Sequence, residues 1–283
     1  PWYMVGPNNV GRVELFRLTR GSGTFTVSDG HAITNTSGAS GDYFGTSLTA
    51  IDRDGDGSNE LVVGMPQSSF PSGPGKISIY RQRNIGMSTT SDLLAAFVGP
   101  DTSSSYGAVM TVVPDLDDDG FPEIVTANPK FNTLGTQDTG SAWVVSSLDG
   151  HVLRVLTPPT SGGAFGTSMA YAGDVDRDGY PELFLGAPST LKCTSSCFQA
   201  AGAAYLYSLK NNDLIWAETG ALDSNHRLGA AVAAGMDVGY DPVGPSAFAR
   251  DGLPDLLMAG TFEVSGAPIP NRPILRIVRT ITR

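Results

Sequence analysis

The chain has 283 residues, of which 35 are glycine and 19 proline; only 16% are charged, and the net charge is −10. This length can bury a substantial core, as one large β domain or two ordinary ones, and the composition suits many short strands joined by tight turns. No apolar run approaches the length of a membrane-spanning helix, and the 18 Lys and Arg form no cluster of the kind that binds nucleic acid.

In chain order, segments 3–7 and 11–18 read as strands, and Asn35-Thr36-Ser37 is a sequon for N-glycosylation. Phe44-Gly45 then leads into Asp52-Arg53-Asp54-Gly55-Asp56-Gly57, with Glu60 directly before the apolar run 61–66. Carboxylates at positions 1, 3 and 5 with glycine at 6 supply the hard oxygen donors and the sharp turn that Ca²⁺ requires. An EF-hand would place a bidentate Glu at position 12, on an exiting helix. Position 12 is Val63, inside an apolar run without helical spacing, and the acid arrives at position 9. The loop therefore joins two strands rather than two helices. Further strands are expected at 76–80 and 95–98.

Tyr106-Gly107 opens a second unit of the same design. Asp115, Asp117 and Asp119 precede Gly120, Glu123 precedes the apolar run 124–129, and strands follow at 142–146 and 152–156. Phe165-Gly166 opens a third, with Asp174, Asp176 and Asp178 before Gly179, Glu182 before 183–188, and strands at 203–207 and 214–217. Leu228-Gly229 opens a fourth, interrupted copy. There an insertion, 238–250, separates Asp237 from Asp251-Gly252-Leu253-Pro254-Asp255, and strands at 256–261 and 274–278 follow. The first Asp recurs at 52, 115 and 174, spacings of 63 and 59 residues, and the fourth copy has no clear position-3 carboxylate.

Four short strands per repeat of about sixty residues describe the blade of a β-propeller. A β-sandwich is the competing picture, but it leaves unexplained a metal loop at the same place in every unit. The expected fold class is all-β, with four-stranded antiparallel blades: a partial blade at 1–42, blades at 43–105, 106–164 and 165–227, and a partial, degenerate blade at 228–283. The unclosed ends point to a piece of a longer chain, because a propeller joins its ends to avoid open edges.

Other chemistry is sparse. Cys193 and Cys197 have no His or Cys nearby to complete a metal site, so they read as a local disulfide and hence as a mark of an oxidising compartment. His31, His151 and His226 fall at different points of the repeat, and no nucleophile elbow, HExxH or Walker loop is present. No catalytic residue is expected. Asp118 falls outside the acidic alternation and reads as solvated. Trp143, Trp216, Tyr205 and Tyr207 stand at strand positions and read as blade packing rather than sugar platforms. Arg272, Arg276, Arg279 and Arg283 read as charges that keep a last strand soluble.

The segment from Phe165-Gly166 to Gly186-Ala187-Pro188, with Asp174-Val175-Asp176-Arg177-Asp178-Gly179 between, resembles the FG-GAP repeat of integrin α-subunit propellers. The pattern recurs over nearly the whole chain. The resemblance implies a propeller, usually of seven blades, with Ca²⁺ in the loop between first and second strands of several blades. It implies three ligand sets: Asp52, Asp54, Asp56, the Ser58 carbonyl and Glu60; Asp115, Asp117, Asp119, the Phe121 carbonyl and Glu123; and Asp174, Asp176, Asp178, the Tyr180 carbonyl and Glu182. Glu at the last position departs from the Asp general in integrins. Asp237, Asp251, Leu253 and Asp255 form a fourth, weaker set. The partner-binding face would lie opposite the metal loops, on the connections 67–75, 128–140 and 189–202.

Like charges about 4 Å apart repel by about 4 kcal/mol at an effective dielectric near 20, so these loops need a cation. Twelve of the 28 acidic residues stand at ligand positions, and without them the net charge of −10 becomes about +2. The acidity therefore belongs to the loops rather than to a surface for a basic partner. The expected role of calcium is structural rather than sensory, since a stack of blades offers no bistable element for an ion to bias. The expected function is that of an extracellular or cell-surface, non-catalytic module for adhesion, protein interaction or assembly. The alternatives are a lectin-like propeller that binds glycans between blades and an accessory domain of a secreted enzyme.

Overall fold

A computed structural model describes residues 11–34, 42–66, 73–85, 88–100, 105–129, 139–161, 163–193, 197–198, 201–220, 226–236, 255–262 and 272–279. Every regular element among them is a strand. The chain divides into two compact units, one of Pro1–Ala108 with Leu148–Gly150 and one of Val109–Ser147 with His151–Arg283.

The first unit begins with a hairpin of β1 (Arg12–Arg20) and β2 (Phe25–Thr34). It continues with β3 (Ser47–Ile51), β4 (Glu60–Met65), β5 (Lys76–Ile85) and β6 (Ser88–Val98), an antiparallel sheet in which consecutive strands are neighbours. Val62 and Val63 on β4 are fully buried on opposite faces of the pleat, so this inner strand reads as a short continuous apolar run. Val63 and Met65 pack with Val13, Ile33 and Phe44, and Phe44 meets the Tyr80 ring edge-on at 6.1 Å.

The second unit opens with a sheet of the same order: β7 (Val109–Val113), β8 (Glu123–Asn128), β9 (Ser141–Ser146) and β10 (Val152–Leu156). Next come β11 (Ser168–Gly173) and β12 (Glu182–Ala187), a small hairpin of β13 (Lys192–Cys193) and β14 (Cys197–Phe198), then β15 (Ala203–Ser208) and β16 (Leu214–Thr219). β11, β12, β15 and β16 form the second four-stranded sheet. A three-stranded sheet follows, from β17 (Ala231–Met236), β18 (Asp255–Phe262) and β19 (Arg272–Arg279).

All six residues of β8, β9, β12 and β15 are buried, whereas the outer strands β10 and β16 are half exposed. For β12 and β15 that gradient follows from neighbouring sheets packed on both faces. The two faces of β12 show it residue by residue. Leu183, Leu185 and Ala187 pack with Val125, Val144 and Phe165, while Phe184 turns the other way to Leu206, Leu228 and Met258. Phe165 lies 5.7 Å from the Tyr205 ring and 5.8 Å from that of Tyr207.

Each Phe-Gly, Tyr-Gly or Leu-Gly segment is bridged by a glycine that precedes a strand. Within the first unit Gly11 bridges Phe44 and Gly75 bridges Tyr106; within the second Gly140 bridges Phe165 and Gly202 bridges Leu228, each in parallel sense. The Ser168 hydroxyl donates to the Gly229 carbonyl at 2.9 Å, and Ser47 makes the matching bond to Gly107. Antiparallel meanders, repeated along the chain and each carrying the same bridge geometry, are β-propeller blades; a sandwich would pass strands between two sheets. The hairpin β13–β14, inside the connection 189–202, was not foreshadowed by the strand pattern. Segment 3–7, Asn35 and most of the connections 67–75 and 128–140 lie outside the described residues, as do the side chains of the C-terminal arginines.

Candidate metal centre

Each acidic loop connects the first and second strands of a blade, and all three share one backbone. Position 4 is left-handed in every copy (Gly55 φ 70°, Asp118 φ 61°, Arg177 φ 63°). Position 6 is left-handed again, at Gly57, Gly120 and Gly179. The position-6 N–H donates to the position-1 carboxylate each time: Gly57 to Asp52 Oδ2 at 3.1 Å, Gly120 to Asp115 Oδ2 at 2.8 Å, Gly179 to Asp174 Oδ2 at 3.0 Å. The position-7 N–H donates to the position-5 Asp, from Ser58, Phe121 and Tyr180 at 2.7, 2.8 and 2.9 Å. These turns leave the remaining carboxylate oxygens converging on one small volume. Asp118, outside the acidic alternation, is exposed.

The second loop is the most complete. Carboxylate oxygens of Asp115, Asp117, Asp119 and Glu123 all lie within 4.8 Å of one another. Glu123 begins β8, is 0% exposed, and neither of its carboxylate oxygens closes a hydrogen bond. Burial pushes its pKa from the ordinary 4.5 up to about 8, helped by the charges of Asp117, Asp115 and Asp119 and opposed by the nearby Leu116 N–H. The third loop gathers Asp174, Asp176 and Glu182 within the same limit. Val175 N–H donates to Glu182 Oε2 at 2.6 Å and leaves Oε1 buried without a partner. Burial, helped by the charges of Asp176 and Asp174 and opposed by the Val175 and Asp176 N–H groups, raises Glu182 to about 7. Asp178 stands outside this group and pairs with Lys210 at 3.3 Å.

The first loop gathers Asp52, Asp54 and Asp56 but not Glu60. Glu60 accepts from Arg53 N–H at 3.0 Å and from Arg81 Nε at 3.1 Å, and Arg81 also pairs with Asp54. The fourth set lies almost wholly outside the described residues; of Asp237, Asp251, Leu253 and Asp255 only Asp255 is placed, buried at the start of β18. Cys193 and Cys197 face each other as paired residues of β13 and β14, and their side chains are outside the described set.

The donor set fits a hard divalent cation. A buried carboxylate without a hydrogen bond is costly, and Glu123 presents two such oxygens toward three more carboxylates. All donors are oxygens, at a spacing suited to Ca²⁺ rather than to zinc with its nitrogen and sulfur ligands.

A pH dependence follows. Without metal, folded Glu123 and Glu182 hold protons that the unfolded chain releases near its ordinary pKa. Folding then takes up protons between about pH 4.5 and 8, so metal-free stability is greatest below that window and falls as pH rises through it. Saturating calcium requires the ionised forms, which flattens or reverses the slope. Thermal melts from pH 5 to 8 with chelator and with calcium check this; a metal-free protein that gains stability over that range would contradict it.

The sequence model of the family described as FG-GAP-like repeat matches residues 115–185, from the second loop through β12. Human integrin alpha-8 is 26% identical over 242 residues, covering 83% of this chain and 21% of the integrin. Residues 115–185 carry an FG-GAP-like repeat, within a region similar to integrin α subunits. Mouse integrin alpha-8 is 30% identical over 153 residues (52% of this chain, 14% of the relative), and human integrin alpha-6 is 26% identical over 190 residues (66% and 15%). The chain spans about a fifth or less of the length of these curated relatives.

The FG-GAP pattern pointed to the acidic ligands but not to the basic and polar residues around them. Arg81, Lys210 and His151, whose Nε2 lies 3.6 Å from Asp117, stand near the loops, Arg81 within the third strand and the other two in the turns beyond it. The signal for Arg81 was available from register. It stands six residues after the bridging Gly75, as Ser146 does after Gly140 and Ser208 after Gly202.

Proposed function

We propose that this chain is a calcium-stabilised, non-catalytic propeller module that works outside the cell and binds another protein. The calcium part is carried by buried Glu123, whose two unpartnered oxygens face Asp115, Asp117 and Asp119. In the second loop those four residues and the Phe121 carbonyl would hold the ion. In the third, Asp174, Asp176, Asp178, the Tyr180 carbonyl and Glu182 would do so; in the first, Asp52, Asp54, Asp56 and the Ser58 carbonyl remain for an ion, because Glu60 is engaged by Arg81. The ion supplies two positive charges that relieve carboxylate repulsion and tie the ends of two adjacent strands.

The adhesion part rests on the similarity to integrin alpha-8 and alpha-6. The partner would meet the connections 67–75, 128–140 and 189–202, at the ends of the second strands away from the acidic loops. A secretory origin is supported by Cys193 and Cys197 in paired strand positions, where a disulfide would close the β13–β14 hairpin, and by a sequon at Asn35. No helix among the described residues is long and apolar enough to cross a membrane.

The test is adhesion of cells to a surface coated with the chain, in calcium and in chelator. The expected result is attachment that needs calcium, disappears when the cells are first treated with trypsin, and ignores free sugars. Attachment no better than to an albumin-coated surface would overturn the reading, and so would attachment abolished by a free sugar, the mark of a lectin.

A further inference from the structure

The three acidic loops differ in the residue paired across the sheet with the last carboxylate. Glu123 pairs with Ser146 and Glu182 with Ser208. In the first blade Leu61 pairs with Tyr80, so the next step of the register sets Glu60 opposite Arg81. The fourth copy has the same choice, with Asp255 opposite Arg279. Serine thus stands opposite the two loops whose last carboxylate stays in the acidic group. Arginine stands opposite the first loop and the copy whose acidic pattern is broken.

The side chains of the first two blades follow this division, and in the third Glu182 stays with Asp174 and Asp176 while Lys210 pairs with Asp178. Ser146 Oγ lies 3.4 Å from Asp119 Oδ2, a neutral contact that leaves Glu123 free of any cation. Arg81 instead reaches in with two groups, Nε to Glu60 Oε1 at 3.1 Å and Nη2 to Asp54. Glu60 is drawn out of the Asp52, Asp54 and Asp56 group, while its counterparts Glu123 and Glu182 remain in theirs. A guanidinium is a planar, permanent cation with donors matched to carboxylates. It satisfies two of the expected ligands, and it repels a divalent ion brought to the same loop.

We infer that Arg81 takes the cation's place in the loop 52–60, and that the serine-or-arginine choice opposite the last carboxylate decides which FG-GAP loops take up calcium. The chain then holds calcium tightly at 115–123 and 174–182 and at least about tenfold more weakly at 52–60, a difference of about 1.4 kcal/mol. The inference rests on the calcium reading of these loops.

Calcium titration calorimetry of chelator-stripped protein tests it. The wild type is expected to bind two ions tightly, Arg81→Ser three, and Ser146→Arg one. Arg81→Ser is also expected to melt below the wild type in chelator and to recover in calcium, since the loop loses its resident cation and accepts another. Arg81→Gln, which keeps most of the side chain's packing, gives the same count should the serine variant fail to fold. Three equally tight ions in the wild type, unchanged in Arg81→Ser, would overturn the inference and leave the calcium reading intact. No tight binding by the wild type or by Arg81→Ser would overturn both.

Discussion

Removing calcium is expected to lower the melting temperature by on the order of 10 °C, and Asp117→Ala is expected to reproduce about half of that loss when calcium is present. An ion at a thousand times its dissociation constant contributes about 4 kcal/mol, and about 1 kcal/mol shifts the melting of a domain this large by a few degrees. Asp117 stands in the four-carboxylate cluster, so its loss removes both a ligand and a negative charge. The charge makes the prediction specific. In chelator the variant is relieved of repulsion against Asp115, Asp119 and Glu123 and should melt no lower than the wild type, and somewhat higher near pH 8. Differential scanning calorimetry of both proteins, with and without calcium, reads the crossing. A variant equally destabilised in both conditions would show that Asp117 acts through packing or hydrogen bonding and not through a cation.

The second large effect concerns the seam between the third and fourth blades. A Cβ on Gly186 would lie 2.0 Å from the Gly229 carbonyl oxygen and 2.4 Å from Ser168 Oγ. The carbonyl belongs to the backbone of the neighbouring blade and accepts the bond from Ser168, so it cannot step aside alone. Gly186→Ala must pry the two blades apart, at a cost of about 3 kcal/mol or more. Gly179 makes the control. Its φ of +89° strains any other residue, but a Cβ there meets nothing within 4 Å, so Gly179→Ala should cost about 1 kcal/mol, from the backbone alone. Urea denaturation in saturating calcium compares them; equal costs would mean that the seam is pliable and the glycine is there for another reason.

Much of this architecture is legible in the sequence because a repeat multiplies every weak signal. A single Asp-x-Asp-x-Asp-Gly is ambiguous; three copies before three apolar runs place the loops, the second strands and the bridging aromatics. The third strands at 76–80, 142–146 and 203–207 fall within β5, β9 and β15, each opened by a glycine that bridges a Tyr-Gly, Phe-Gly or Leu-Gly segment. Other features depend on cross-strand pairing and show in the sequence only once the register is counted from the bridging glycines. Arg81 is distant from Glu60 along the chain, and only the register brings it to the loop. Lys210 meets Asp178 for the same kind of reason. The left-handed backbone at Asp118 and Arg177 was hidden as well: Gly55 marks that conformation in the first loop, but the other two place residues there that do not announce it. The β13–β14 hairpin is two residues per strand, too short for any periodicity to show.

The loop 115–123 is where the proposed role of calcium can be observed most directly. Crystals grown in calcium and measured at a wavelength where the ion scatters anomalously would show whether one sits there. The expected result is a strong peak within about 2.3–2.6 Å of oxygens from Asp115, Asp117, Asp119 and Glu123. A map with no peak in that loop, and Glu123 instead hydrogen-bonded to the Leu116 N–H or the Ser146 hydroxyl, would contradict it.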